Sequence, residues 1–204
     1  GSRLSMTAGQ ALVKRGFDIV GATIGLICLG WALIIAWCIA RIDTGAPGFF
    51  RQERVGRFGR RFEVIKLRTM RVESELTTTV TTSSDPRITR IGRFFRRSKL
   101  DELPQLINVL RGEMSFVGPR PDVAGFADLL KGPESLILRV RPGITGPATL
   151  NFRNEEELLA ECEDPERYNR EVIYPEKVRL NLAYIENYRF REDLRIIWKT
   201  LVSG

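Results

Sequence analysis

The longest apolar run of the chain covers residues 19–40, which carry no charge between Asp18 and Arg41. These 22 residues are long enough to cross a bilayer as a helix. A secretory signal fits poorly, because the run is longer than the apolar part of a signal and no A-x-A cleavage site follows it. A buried core helix is the competing interpretation, but it should place polar residues on one face. The pattern therefore predicts a membrane segment.

Basic residues flank this segment on both sides, which one orientation of a spanning helix does not favour. A helix that enters the membrane, bends near its middle and returns would leave both flanks on the cytoplasmic side. Gly30 lies near the midpoint and is predicted to seat the bend. A straight span of the bilayer is the alternative. The flanking residues are Arg3, Lys14 and Arg15 before the run, and Arg41, Arg51, Arg54, Arg57, Arg60 and Arg61 after it.

After the membrane segment the chain shows no internal repeat, and its pattern predicts one mixed domain. Residues 47–70 contain two β-prone runs around a glycine-containing connection, which predicts a short hairpin. Residues 77–85, TTTVTTSSD, are predicted to form a polar loop that is too short to link two domains.

Between residues 86 and 97, arginines and apolar residues recur at helical spacing, which predicts a helix with one basic and one apolar face. A solvated or membrane-apposed basic face and a specific anion site both fit this spacing. The residues concerned are Arg87, Arg90, Arg93 and Arg97 on one face, with Ile88, Ile91 and Phe95 between them.

The stretch KLDELPQL, residues 99–106, places two adjacent carboxylates before another helix. An apolar stripe at i, i+3, i+4 and i+7 begins at Leu103, and Gly112 suits the position after the helix end. Pro104 then belongs in the first turn, and Asp101 is predicted at or near the N-cap. Capping alone can explain such a pair. Nearby arginines and free N–H groups would also make this helix start a phosphate site.

Two loops rich in glycine and proline follow, at residues 112–122 and 140–156. Prolines on both sides of Arg120 restrict the local backbone, so its guanidinium could be presented with little ordering cost. A purely structural turn explains the same residues equally well. The C-terminal stretch 193–202 mixes apolar and basic residues and could lie at a membrane interface or close the core. No dinucleotide-binding or P-loop glycine motif occurs.

Composition narrows the classes of function. The 204 residues suit one domain with its own core, and the net charge of +7 points to an anionic partner such as nucleic acid, a phosphorylated substrate or a membrane surface. The absence of histidine leaves acid–base chemistry to carboxylates, lysines, tyrosines or cysteines. Three cysteines are too few for a disulfide framework, and none has zinc-ligand spacing.

Several motifs occur in a specific order: KRGFD, an apolar hairpin, FFRQERVG, KLRTM, SDPRITRIGRFFRRSKLDELPQLINVLRGEMSFVGPRP, RPGITG and DLRIIWKTL. In this order they resemble the bacterial sugar transferase family, the monotopic phosphoglycosyl transferases that start glycoconjugate assembly on a polyprenyl phosphate. The resemblance covers the chain from Lys14 to Leu201. It is most specific from Asp85 to Pro121, where many spaced elements agree.

The resemblance implies a role for the two carboxylates. Asp101 and Glu102 match the catalytic Asp-Glu dyad of the family, in which the aspartate attacks the β-phosphate of a UDP-sugar, expels UMP and holds the phosphosugar until a polyprenyl phosphate takes it. It also implies Mg²⁺, with Asp101 and Glu102 as ligands. A carboxylate that attacks a diphosphate meets strong repulsion, which Mg²⁺ and arginines must offset. By motif position, Arg96, Arg120 and Arg153 are the candidate phosphate or nucleotide contacts.

The resemblance further implies an α+β, mainly helical fold at the cytoplasmic face of a bacterial inner membrane. Residues 1–13 comprise a tag remnant and an N-terminal segment, 14–46 a re-entrant helix-break-helix, and 47–204 a compact catalytic domain with a small β-hairpin and interfacial amphipathic helices. The expected partners are a UDP-sugar, a polyprenyl phosphate and membrane lipid, without nucleic acid. A homo-oligomer is left open.

The sequence departs from the family pattern in two places. Gly30 and Trp31 stand where the membrane helix commonly breaks at a Ser-Pro. After RPGITG, the common AQVNGRN run reads ATLNFRN, and EEELLAECEDPERYNREVIYPEK follows as a variant insertion. Two functions of other classes remain as alternatives: a non-catalytic basic membrane-anchored scaffold, which would not need the dyad, and a nucleic-acid-binding protein that uses the same arginines.

Overall fold

The computed structural model describes residues 6–72 and 85–202 of the chain. It confirms an α+β, mainly helical fold with two small sheets. Part of the loop predicted at residues 77–85 lies outside the described residues. The helices are α1 Ala8–Thr44, α2 Arg90–Arg97, α3 Gln105–Arg111, α4 Pro147–Asn151, α5 Glu155–Ala160, α6 Pro165–Tyr168, α7 Tyr174–Glu186 and α8 Phe190–Val202, and the strands are β1 Phe49–Val55, β2 Arg61–Leu67, β3 Ser115–Val117 and β4 Gly143–Thr145.

The N-terminal helix α1 is continuous over 37 residues, so the predicted break at Gly30 and Trp31 is wrong. A glycine weakens a helix by about 1 kcal/mol but keeps its N–H, and without a proline the backbone hydrogen bonds continue through it. The helix begins at a capping box on Thr7 and ends at Gly45, which has left-handed backbone angles. It is apolar and long enough to cross a membrane.

One face of α1 packs against the rest of the fold along most of its length. Near its start, Lys14 forms a buried ion pair with Asp193 of α8 at 2.5 Å. Arg15 donates hydrogen bonds of 2.6 and 3.0 Å to two backbone carbonyls at the end of α3. Near its other end, Ala40 joins Leu67 of β2 in a core cluster. Both ends of the apolar run therefore contact the same domain.

The opposite face of α1 is apolar and exposed, with Trp31 at 66% and Ile27 at 75% exposure. Large exposed apolar patches on a folded chain mark protein or membrane interaction surfaces. This exposed apolar face includes Leu12, Val13, Ile19, Val20, Ile24, Ile27, Trp31, Ile34, Ile35, Ile39 and Ile42.

The predicted hairpin is confirmed: β1 and β2 pair antiparallel from Phe49 opposite Leu67 to Val55 opposite Arg61. Helix α3 is fastened to this hairpin by Asn108, which is fully buried. Its Oδ1 accepts from the backbone N–H of Ile65 at 3.1 Å, and its Nδ2 donates to a backbone carbonyl of β2 at 2.7 Å. These bonds fix the position of α3 relative to Lys66, the residue that follows Ile65 in β2.

The two loops rich in glycine and proline meet in a second sheet, in which β3 and β4 run parallel. The backbone N–H of Gly118 donates to Thr145 at 3.0 Å, and that of Gly143 donates to Pro119 at 2.8 Å. A Cβ on Gly118 would collide with the carbonyl of Arg141, so only glycine allows this approach. The pairing fixes the backbone just before Arg120.

Helix α2 confirms the helix predicted between residues 86 and 97, although it begins only at Arg90, after an N-cap at Thr89. Its apolar residues divide between the core and the surface: Phe95 is buried, whereas Phe94 is 60% exposed. Helix α8 likewise leaves Trp198 68% exposed. An interfacial position for these helices and the predicted domain boundaries remain predictions.

Candidate active site

The two adjacent carboxylates lie in a single 3₁₀ turn, Leu100–Glu102, between α2 and α3. Lys99 opens this turn in a left-handed conformation with φ of 57°, which is strained for a residue with a Cβ. Helix α3 begins after Pro104 without a side-chain cap. The predicted N-cap role of Asp101 is therefore wrong, because the helix begins later and capping does not engage this carboxylate.

Glu102 is held by two cations from other parts of the chain. Its Oε1 accepts from Nη2 of Arg120 at 2.6 Å and from Nζ of Lys66 at 3.3 Å. The Glu102 side chain is only 11% exposed, so these charge-assisted bonds act away from bulk water. The structure thus brings Glu102 and Arg120, two of the predicted site residues, into direct contact.

Asp101 is also buried, at 8% exposure, but its bonding differs. Among the described residues, no hydrogen-bond partner reaches its buried Oδ1. A buried carboxylate oxygen without a partner is costly and is a typical sign of a functional position. The neighbouring carboxylates therefore have different tasks: one is engaged in ion pairs and the other is available.

Burial and the surrounding charges together shift the pKa values of the two acids in opposite directions. Burial raises the pKa of Asp101, and the Glu102 charge raises it further, against Lys66 and Arg96. Burial also opposes ionisation of Glu102, but Arg120 and Lys66 outweigh it and hold the pKa of Glu102 well below its usual range. Two acids whose environments separate their pKa values are typical of sites where each has its own role.

Arg96 reaches the same region from α2. Its Nε donates to Oγ1 of Thr69 at 3.1 Å, and its Nη1 pairs with Oε1 of Glu156 at 2.9 Å. Its charge also acts on Asp101, whose pKa it lowers. A Cβ on Gly92, one turn earlier, would collide with the Thr69 carbonyl, so this glycine permits the close approach of α2.

Arg153 is placed differently from the other predicted site residues. It lies just before α5, and its Nη2 donates to the backbone carbonyl of Lys199 in α8 at 3.1 Å. This contact joins Arg153 to the last turns of α8. Its assignment as a phosphate or nucleotide contact stays a prediction.

Three residues that sequence reasoning did not single out belong to the neighbourhood of the dyad. Lys66 of β2 bonds Glu102, and burial followed by repulsion from Arg120 lowers the pKa of Lys66. Arg54 of β1 donates to the Pro121 carbonyl at 3.3 Å, and burial lowers its pKa to about 10. Burial raises the pKa of Asp122 to about 6, against Lys177 and Arg54. Arg54 lies in the motif FFRQERVG and Lys66 in the motif KLRTM, so these motifs already contained both cations.

The arrangement combines an unpaired buried carboxylate with an excess of cations. Lys66 and Arg120 bond Glu102 directly, Arg54 bonds the carbonyl of the residue after Arg120, and Arg96 bonds Thr69 from α2. Such a cluster attracts anions and can offset charge that develops during phosphoryl transfer. The chain thus combines a helix that is apolar and long enough to cross a membrane with a buried pair of carboxylates among cations.

Comparison with known proteins identifies the family. Residues 9–204 match the model of the family described as bacterial sugar transferase, and the chain belongs to this family. It is 33% identical over 190 residues to the uncharacterized sugar transferase EpsL of Bacillus subtilis, which covers 93% of this chain and 86% of that relative.

Two further relatives are much longer than this chain. It is 37% identical over 199 residues to the UDP-glucose:undecaprenyl-phosphate glucose-1-phosphate transferase of Escherichia coli, covering 95% of this chain and 40% of the relative. It is also 37% identical over 205 residues to a UDP-galactose-lipid carrier transferase of Erwinia amylovora, covering 93% of this chain and 39% of the relative. The chain thus spans about two fifths of the length of these two proteins.

Proposed function

We propose that the chain transfers a phosphosugar from a UDP-sugar to a membrane polyprenyl phosphate, with release of UMP. The names of two relatives specify lipid carriers and UDP-sugars, glucose in one and galactose in the other. Undecaprenyl phosphate is therefore the proposed acceptor, and the sugar is left to experiment. Such a reaction forms the first membrane-bound intermediate of a bacterial polysaccharide or other glycoconjugate.

One observation carries this proposal: Asp101 has a buried carboxylate oxygen that no residue of the described part of the chain bonds, beside a Glu102 that Arg120 and Lys66 hold. A nucleophile must keep a lone pair free, whereas a charge-positioning group must be fixed. The different bonding of Asp101 and Glu102 supports this division. A helix-capping pair would instead place an aspartate oxygen on a backbone N–H.

The proposed reaction has two steps at one site. An oxygen of the Asp101 carboxylate attacks the β-phosphorus of the UDP-sugar, the bond from that phosphorus to the bridging oxygen breaks, and UMP leaves. An oxygen of the polyprenyl phosphate then attacks the same phosphorus, and the bond to Asp101 breaks. The product is a polyprenyl diphosphate sugar, and the carboxylate returns unchanged. Splitting the transfer lets two large substrates use the site in turn, which predicts ping-pong kinetics.

Repulsion between the carboxylate and the diphosphate is the main electrostatic barrier to the first step. Arg120 and Lys66 lie on the Glu102 side of the dyad, and Arg96 acts on Asp101 from α2. Arginine presents a planar pair of N–H donors that suits phosphate oxygens. These cations are proposed to bind the donor phosphates and to stabilise the charge that moves to UMP.

Mg²⁺ also belongs to the proposal. No cluster of three or more metal-binding side chains occurs within residues 6–72 and 85–202. Mg²⁺ is commonly held by one or two carboxylates together with substrate phosphates and water, so a smaller set suffices. The unpartnered Oδ1 of Asp101 fits this chemistry, and both Glu102 bonds described above use Oε1, which leaves its second oxygen. When bound, Mg²⁺ would offset negative charge on the diphosphate.

The contacts of α1 support an arrangement in which both ends of this helix lie on the cytoplasmic side. From Lys14 to Ala40 the packed face is about 39 Å long at 1.5 Å per residue. This exceeds the hydrocarbon thickness of about 30 Å. A domain that packs along this whole length cannot stay on one side of a bilayer that the same helix crosses. We therefore propose that α1 enters the cytoplasmic leaflet through its exposed apolar face without spanning it.

Cysteine labelling in intact cells tests this topology. A single cysteine at Gly9, in a chain whose native cysteines are replaced by serine, should resist a membrane-impermeant thiol reagent until the cells are lysed. Labelling from outside would show that α1 spans the membrane.

The activity itself is tested by UMP release. The purified full chain, with undecaprenyl phosphate and Mg²⁺, should release UMP from UDP-glucose or UDP-galactose. A basic scaffold would release none with any UDP-sugar. A nucleic-acid binder would show steeply salt-dependent RNA or DNA binding instead.

A further inference from the structure

The first turn of α5 bridges two elements that border the candidate site. Oε1 of Glu156 pairs with Nη1 of Arg96 in α2 at 2.9 Å. The preceding residue, Glu155, pairs with Nζ of Lys177 in α7 at 2.7 Å. We call Glu155 and Glu156 the acidic clasp. It lies in the variant segment after RPGITG and has no part in the reaction described above.

The two pairs of the clasp differ in exposure. The side chains of Glu155 and Lys177 are 27% and 20% exposed, whereas that of Glu156 is 48% exposed. Leu159, one turn further along α5, is buried at 2% exposure. The Glu155 pair and Leu159 therefore keep α5 in place, while the Glu156 side chain can rotate away without unfolding the helix.

Glu156 occupies a cation that the proposed reaction needs. Arg96 lies in the last turn of α2, directly before the turn that carries Asp101, and its carbonyl accepts from the backbone N–H of Lys99 at 3.2 Å. A guanidinium nitrogen that bonds a carboxylate oxygen is not available to a phosphate oxygen in the same position. Nε and Nη2 of Arg96 are directed to Thr69 and Met70, so a diphosphate that binds at Nη1 must displace Glu156. Because partly exposed ion pairs are weak, this exchange is easy and reversible.

We propose that Glu156 sets the affinity for the donor by competing with its phosphates for Arg96. In the donor-free protein Glu156 is paired with Arg96, and a nucleoside phosphate takes the place of Glu156 when it binds. After transfer, Glu156 returns to Arg96 and promotes the departure of the nucleoside monophosphate. This inference rests on the proposed function, because it requires a nucleotide at Arg96.

The test uses Glu156→Gln, which removes the charge and keeps the side-chain length, and Glu157→Gln as the matched control. Glu157 is exposed in the same turn of α5, so its replacement makes the same change in net charge. Titration calorimetry with UMP, on the full chain with Mg²⁺, should show a Kd about two- to fivefold lower for Glu156→Gln than for wild type. The KM for the UDP-sugar should fall by a similar factor without a rise in kcat, and Glu157→Gln should change neither quantity.

Equal tightening by both variants would mean that only the general field matters, and no tightening by Glu156→Gln would mean that Glu156 does not compete. Either result would contradict the proposed competition of Glu156 for Arg96. The proposed function would still stand if wild type releases UMP. If wild type binds neither UMP nor a UDP-sugar, the proposed function fails, and the clasp fails with it.

Discussion

The frame of the candidate site, formed by α1, α3 and strands β1 to β3, is held together differently from residues 147–175, which we call the covering segment because Glu156 pairs with Arg96 of the site. In the frame, buried polar groups join elements that are far apart in sequence: Asn108 fastens α3 to the hairpin, and Asp18 of α1 accepts from Ser115 and Phe116 of β3, both at 3.0 Å. In the covering segment, short helices depend more on ion pairs at the surface, such as the exposed pair of Arg167 with Glu171 and the two pairs of the acidic clasp.

This difference matches two needs of a transfer reaction. Attack on phosphorus requires a carboxylate and cations fixed within small tolerances. Recognition of a particular sugar or nucleotide, by contrast, can use a surface whose side chains rearrange when the ligand binds. One of the two departures from the common family pattern, the run after RPGITG, also falls in the covering segment. We infer that the frame holds the chemistry and that the segment varies with the substrate.

The largest effect is expected on the rate of UMP release, in the variant Asp101→Asn. The amide keeps the size of the side chain but cannot form the ester with phosphorus, so UMP release should fall by about a thousandfold or more. The thermal midpoint of the variant should stay close to that of wild type, because Oδ1 of Asp101 makes no described hydrogen bond that the change would break. A folded Asp101→Asn protein with near-normal turnover would remove this residue from catalysis.

The next largest effect concerns the stability of the frame. Asn108→Ala should lower the free energy of unfolding by about 2–4 kcal/mol, because it removes the partner of the buried N–H of Ile65 and of a part-buried carbonyl of β2. Denaturant titration in detergent measures this change, with the exposed Asn151→Ala as control. A loss no greater than that of the control would show that α3 is not fixed to the hairpin in this way.

A smaller effect is expected for Arg120→Lys. Lysine keeps the charge but loses the planar pair of donors, so turnover should fall by about ten- to a hundredfold. The control is Arg111→Lys, an exposed arginine at the end of α3, which should be silent. If Arg120→Lys is fully active, charge alone matters there, and the bonding of Glu102 does not depend on guanidinium geometry.

The smallest effect is expected in the covering segment. Glu171→Gln removes the exposed pair with Arg167, and exposed pairs of this kind add little to stability. Its denaturation midpoint should not differ measurably from wild type. A clear loss would show that this segment is held as firmly as the frame and would end the contrast between the two regions.

Local patterns in the sequence predicted the hairpin and the helix that contains Phe95, because alternation and helical spacing depend on neighbouring residues. They also located the two carboxylates, through the order of the motifs. The N-cap assignment of Asp101 was wrong because a 3₁₀ turn intervenes before α3, and an intervening turn of this kind leaves the apolar stripe unchanged. The break at Gly30 was wrong because glycine lowers helix stability without removing a hydrogen bond.

Local sequence patterns did not predict the contacts between residues that are distant in the sequence. The parallel pairing of β3 with β4 joins residues nearly thirty positions apart, and neither strand is longer than three residues. The approach of Lys66 to Glu102 depends on how α3 sits on the hairpin, which Asn108 decides. A buried asparagine that bonds two strand groups has no periodic signature, so its role becomes visible only in three dimensions.

The central claim is that Asp101 carries the phosphosugar covalently between two half-reactions. Intact-mass spectrometry of the wild-type chain, mixed with UDP-glucose or UDP-galactose and Mg²⁺ but no acceptor lipid, measures this intermediate directly. We expect a mass increase of one phosphosugar in wild type, its loss on addition of undecaprenyl phosphate, and no increase in Asp101→Asn. Turnover with intersecting, ternary-complex kinetics and no adduct after rapid quenching would contradict the claim.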